Sequence, residues 1–141
     1  MFEKLRDSIQ EAVERHKHRP FLEAAMAACT YVAMADGSIS IGERGRVDDI
    51  LEHLDQLRIF DPHEGVDLMN EFADGLREDP KKGKKAIMKA VAQMADDPDA
   101  AFLVARMCIA ISNADADFSP VEREAVLEII DVLKASDKVT I

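Results

Sequence analysis

The sequence predicts an all-α fold: a single-domain bundle of about seven helices built around an internal helix–acidic turn–helix duplication. Three observations predict it. All five prolines stand where a helix would start, the apolar residues recur at helical spacing, and strand signals are confined to a Val139-Thr140-Ile141 tail. Proline suits the first helical position because the N–H it lacks would have no partner there.

Each element has its own signature. Phe2, Leu5, Ile9 and Val13 form one stripe and predict a helix over about 3–17. Arg19-Pro20 opens a second over about 20–35, in which Phe21–Ala35 is apolar nearly all round, as suits the middle of a bundle. Val47, Ile50, Leu51, Leu54 and Leu57 mark a third over about 40–57. Asp61-Pro62 opens a fourth over about 62–78, with Leu68, Met69, Phe72 and Leu76 in line. Asp79-Pro80 opens a fifth over about 80–95, carrying Ile87, Ala90, Val91 and Met94. Asp97-Pro98 opens a sixth over about 98–114, whose Ala100–Ala114 stretch is apolar nearly all round. Ser119-Pro120 opens the last, over about 119–135, with Ala125, Val126, Ile129, Ile130 and Leu133. The Asp or Ser before each proline can accept a hydrogen bond from the next turn. Asp61 with Glu64, and Ser119 with Glu122, also have capping-box spacing.

At 141 residues the chain is one domain's worth of length, spanning 1–141, and needs neither disulfide nor metal merely to fold. Eighteen basic and 28 acidic side chains leave a net charge of −10, which argues against nucleic acid as a partner. Two cysteines make no disulfide framework and point to a reducing compartment. No targeting segment or membrane span is expected, because the apolar helices are about 15 residues long and a bilayer needs about 20.

The chain matches itself at an offset of 79. Cys29-Thr-Tyr-Val-Ala-Met-Ala-Asp36-Gly-Ser-Ile-Ser40-Ile-Gly-Glu43-Arg44 aligns without gaps to Cys108-Ile-Ala-Ile-Ser-Asn-Ala-Asp115-Ala-Asp-Phe-Ser119-Pro-Val-Glu122-Arg123. The apolar residues after each copy match too, giving repeat units of about 20–57 and 99–136. Packing accounts for the apolar matches. It accounts only in part for the Asp, Ser and Glu.

Ser40 with Glu43, like Ser119 with Glu122, reads as a capping box. Gly37 is expected to end the preceding helix in the left-handed region. Ala116 holds that place in the second copy, so Asn113 or Asp115 is expected to take the left-handed conformation instead. Asp36 and Asp115 fall at helix C-termini, where the macrodipole disfavours a carboxylate by roughly 0.3–1 kcal/mol. A cation would reverse that. Asp36–Glu43 resembles the second half of an EF-hand loop, but Val32 and Met34 stand where its first half needs oxygen ligands. Two half-sites brought together would place Asp36, Glu43, Asp115, Asp117 and Glu122 in one patch. Oxygen donors favour Ca²⁺, Mg²⁺ or Mn²⁺ over Zn²⁺. A solvated acidic face, balanced by Arg44 and Arg123, is the plainer alternative.

The repeated Ala-Asp-x-x-[apolar]-Ser-x-x-Glu turns, each after a Cys-bearing apolar helix, resemble the tellurite-resistance protein TerB family. The resemblance also takes in the basic stretch before Pro20-Phe21-Leu22, the Ile59-Phe60-Asp61 joint and the lysine-rich run at 81–85. It implies a cytoplasmic, all-helical protein of tellurite resistance and related stress responses. It implies protein partners, among them a TerC-type membrane protein. It implies a divalent-cation role for Asp36, Glu43, Asp115 and Glu122, with Asp117 as an extra ligand.

No Gly-rich phosphate loop, nucleophile elbow or His-Glu-x-x-His motif is present, so no enzymatic activity and no organic cofactor are expected. The remaining enzymatic alternative is a metal-dependent hydrolase running on paired carboxylates. A purely protein-binding scaffold, whose acidic turns are helix caps, is the other alternative. Basic residues cluster at Arg15–Arg19 and Lys81–Lys85, and suit docking to an acidic partner or peripheral contact with the cytoplasmic leaflet. Cys29 and Cys108 read as small buried hydrophobes, and Tyr31 reads as core.

Overall fold

A computed structural model describes residues 2–54, 57–113 and 119–139, without the side chains of Phe2 and residues 11–17. Six helices are present among them: α1 (Phe2–Ala33), α2 (Ile41–His53), α3 (Pro62–Glu78), α4 (Pro80–Ala92), α5 (Pro98–Ser112) and α6 (Pro120–Val132). The fold is all-α, as the periodicity predicts. All seven expected stretches are helical, and the first two are fused into α1.

That fusion corrects one expectation. Pro62, Pro80, Pro98 and Pro120 do begin helices, but Pro20 lies inside α1. A proline in mid-helix forfeits the bond to the carbonyl four residues back, yet its fixed φ is helical. The forfeited bond falls where the chain passes from exposed residues 3–10 into the core at Phe21 and Leu22. Burial of that following segment keeps the helix on course.

From Phe21 to Ala33 α1 is the hub, packing against α3, α4, α5 and α6. Ala24, Ala25, Ala27 and Ala28 are wholly buried, and their small side chains let neighbouring backbones approach. Leu22, Met26 and Val32 fill the space between, each worth about 1.5–3 kcal/mol by removal from water. Thr30 donates its hydroxyl to the Met26 carbonyl at 2.6 Å, and Ser112 donates to the Cys108 carbonyl at 2.9 Å, so these buried polar groups are satisfied locally. Cys29 and Cys108 are buried against one another between α1 and α5. The Cys108 thiol is held well above its ordinary pKa, first by its hydrogen bond with Cys29 and then by burial.

Helix ends obey local chemistry. The side chains of Asp61, Asp79 and Asp97 accept from the N–H groups of His63, Lys82 and Ala100. The capping box expected of Asp61 and Glu64 does not form: the Asp61 carboxylate accepts from the His63 N–H, the Glu64 N–H bonds the Asp61 backbone carbonyl at 2.9 Å, and the Glu64 side chain faces Arg19 across 3.7 Å. At the end of α6, Lys134 takes the left-handed conformation (φ 57°) and Ala135 N–H reaches the Ile130 carbonyl at 3.0 Å.

The α3–α4 hairpin depends on a close backbone approach at Gly83. A Cβ there would come within 2.7 Å of the Leu76 nitrogen and 2.8 Å of the Gly75 carbonyl carbon. Gly45 in α2 faces open space. Gly83→Ala is therefore expected to destabilise the fold by about 1–3 kcal/mol, whereas Gly45→Ala should stabilise it by roughly 0.5–1 kcal/mol. Urea unfolding of the two variants reads these opposite signs directly.

Candidate functional site

Two helix-to-helix turns supply the predicted site residues. The first leaves α1 at Ala33. Gly37 adopts φ 105°, as expected, and its N–H bonds the Met34 carbonyl at 2.9 Å. Asp36 caps the bend from within, its Oδ1 facing the Ser38 N–H at 3.4 Å. Ser40 then opens α2 with a full capping box. Its hydroxyl accepts from the Glu43 N–H at 3.0 Å, and its own N–H donates to Glu43 Oε1 at 2.9 Å.

The second turn enters α6 through Ser119. The Ser119 hydroxyl accepts from the Glu122 N–H at 3.2 Å and stands 3.1 Å from Glu122 Oε1. The hydroxyl thus serves both the backbone and the carboxylate of Glu122. Asp115 and Asp117 lie outside the described residues. Asn113 ends α5 at φ −88°, so it is not the left-handed residue the missing glycine suggested.

Glu43 and Glu122 are only 2% and 6% exposed. Burial of two carboxylates near one another is unusual, because each is costly to take out of water. Helix N-termini help, since the macrodipole and the orphan N–H groups favour negative charge. The arrangement still raises the Glu43 carboxyl above its ordinary pKa of 4.5. Burial is the first cause, Ser40's hydrogen bonds oppose it, and the charges of Glu122 and Asp36 add to it. The structure therefore brings Asp36 and Glu122 each within electrostatic reach of Glu43, although Glu43 and Glu122 are 79 positions apart. Among the described residues, no group of three or more His, Cys, Asp or Glu side chains is arranged to hold a metal.

Beside the first turn lies a groove of about 420 Å³ between the ends of α1, α3, α4 and α6. Met34, Leu76, Pro80 and Ala125 give it apolar walls, with Tyr31 and Glu128 among its polar residues. Tyr31 donates its hydroxyl to Glu128 Oε2 at 3.0 Å, and Lys84 Nζ stands 2.9 Å from the same oxygen. The Lys84 ammonium also lies 5.9 Å from the centre of the Tyr31 ring. Lys84 is held above its usual pKa, first by the Glu128 bond, while burial and then Glu128 raise Tyr31. The reading of Tyr31 as plain core is thus corrected: it is half-buried and anchors a polar network. The signal was present in α4, where Lys84 falls in line with Ile87 and Val91 at helical spacing, which sets it beside the bundle although half of its side chain stays in solvent.

The sequence model of the family described as tellurite resistance protein TerB matches residues 22–141. The chain belongs to the TerB family. A curated relative, the tellurium resistance protein TerB of Alcaligenes sp, is 28% identical over 104 residues, which cover 74% of this chain and 85% of that protein. No solved structure matches. TerB membership agrees with the resemblance drawn from the acidic turns. Among the described residues no helix is long and apolar enough to cross a membrane.

Because the folded pKa of Glu43 lies above the unfolded one, its contribution to stability is fully present below about pH 4.5 and is lost as pH rises through the folded value. Glu43→Gln keeps an oxygen for the Ser40 N–H and removes the charge. The variant is expected to melt at or above wild type at neutral pH, and to show a flatter dependence of melting temperature on pH from 4.5 upward. A variant with the wild-type slope would refute the assignment.

Proposed function

We propose that this TerB-family protein is a non-enzymatic divalent-cation module of a cytoplasmic tellurite-resistance and stress-response system. One observation carries the reading: the glutamates of two distant turns, Glu43 and Glu122, are both buried, and the charges of Glu122 and Asp36 both act on Glu43. Their donors are all carboxylate oxygens, which fit Ca²⁺, Mg²⁺ or Mn²⁺. Asp36, Glu43 and Glu122 would hold the ion, and Asp115 and Asp117 are the sequence's candidates to complete its shell. A bound cation would neutralise the repulsion that raises the Glu43 carboxyl and supply the positive charge that Asp36 lacks at the end of α1. Its work here is structural, drawing the two turns together and so setting the surface offered to a partner.

A second reading rests on the capping bonds. Ser40 and Ser119 each engage one oxygen of the paired glutamate. In this reading the turns are caps and the protein is an interaction scaffold. Either reading has room for a protein partner, with a TerC-type membrane protein as the family's candidate, and an acidic surface would suit Lys81, Lys82 and Lys85, which are exposed on the first turns of α4. Lys84 is paired with Glu128, and Arg19 faces Glu64, which shrinks both basic clusters as docking surfaces.

Titration with CaCl₂, MgCl₂ and MnCl₂, followed by melting temperature, separates the readings. A cation site should stabilise the protein by about 2.7 kcal/mol at a hundredfold excess over its Kd. Asp36→Asn with Asp115→Asn should abolish that gain, and relief of repulsion should leave the metal-free form at least as stable. The scaffold reading expects only small, salt-like shifts, equal in wild type and variant.

A further inference from the structure

Residues 3–10 of α1 take no part in the hydrophobic core. Residues 3–10 are all exposed, and Leu5 and Ile9 present 58% and 57% of their surface to solvent. The region shared with the TerB family begins only at Leu22. A helix of about 16 residues is marginal in water by itself, and its apolar face needs a partner.

The sequence spacing says what kind. Phe2, Leu5, Ile9, Ala12 and His16 follow the alternating three- and four-residue steps of a heptad seam, the pattern of one helix lying along another. Charge says which partner and which way round. Residues 3–19 carry five basic and four acidic side chains, a net of +1, so the rest of the chain carries −11. Two such bodies repel at close range. Parallel arms would set them side by side. Antiparallel arms of 16 residues hold them about 24 Å apart, more than two Debye lengths of about 8–10 Å at physiological salt.

We propose that the N-terminal arm of α1 is a dimerisation element, pairing antiparallel with the same arm of a second copy of this chain, with Leu5 and Ile9 in the seam. The near-neutral arm lets two strongly acidic molecules meet without bringing their like charges together. The partner adds nothing to the acidic turns, so this assembly stands apart from the cation reading.

Light scattering on the eluting full-length chain, over a concentration series, tests the pairing. The expected mass is twice 15.6 kDa. Leu5→Glu with Ile9→Glu should return it to 15.6 kDa with the melting temperature of the bundle unchanged. A wild type that stays monomeric across the series overturns the proposal, and so does a double variant that stays dimeric. Small-angle scattering should show two separated lobes, and a compact side-by-side pair overturns the orientation. Mixed phosphatidylserine–phosphatidylcholine vesicles provide the remaining control. A monomeric wild type that binds them through Leu5 and Ile9 assigns the stripe to lipid and overturns pairing.

Discussion

The near-complete burial of α1 from Phe21 to Ala33, where only Glu23 and Tyr31 keep partial exposure, is the constraint on which the bundle depends. A helix with so little solvent face needs neighbours on most sides, and α3, α4, α5 and α6 pack around this one. The alanines at 24, 25, 27 and 28 set how near those neighbours come. Their proximity carries α1 through Pro20. It also fixes where α1 ends, and hence where the first acidic turn begins. The second apolar helix, α5, meets α1 at the Cys29–Cys108 contact, so the two turns leave from neighbouring helices.

This geometry gives each Ser-x-x-Glu pair two tasks. Locally, each serine caps a helix start by accepting from the glutamate N–H, and at the first turn Glu43 also accepts from the Ser40 N–H. Globally, the same glutamates are carried under the surface and towards one another. The helix N-termini lower the cost of burying them, but they do not cancel it, and the Glu43 carboxyl records the remainder as an affinity for protons. A charge that prefers to be neutralised is also one that prefers a cation. That preference joins the capping geometry to the function proposed for this TerB-family member.

Much of the fold was legible because its determinants are local. An Asp or Ser followed by proline marks four helix starts within two residues, and the apolar stripes name the buried faces. The left-handed Gly37 is legible too, since only glycine takes that conformation at no cost. Pro20 misled because its meaning depends on its C-terminal neighbours: an anchored Phe21 and Leu22 hold the helix together across a residue that would elsewhere begin one. Lys134 gave no warning, for a lysine in the left-handed region is chosen by the turn that surrounds it. Tyr31 reads as core because an aromatic on an apolar helix usually is. Its hydroxyl finds Glu128, 97 residues away, and no short window contains both.

The amino-acid order alone therefore settled where most helices begin, which faces they bury, and that a serine caps the helix after each acidic turn. These rest on contacts three or four residues long, whose energies are complete within one turn of helix. The meeting of Glu43 with Glu122 rests on packing between helices far apart in the chain. So do the joining of Tyr31, Glu128 and Lys84 and the unbroken run of α1. Shape complementarity among side chains that are distant in sequence decided these, because burial is a property of the assembled bundle and of no segment within it.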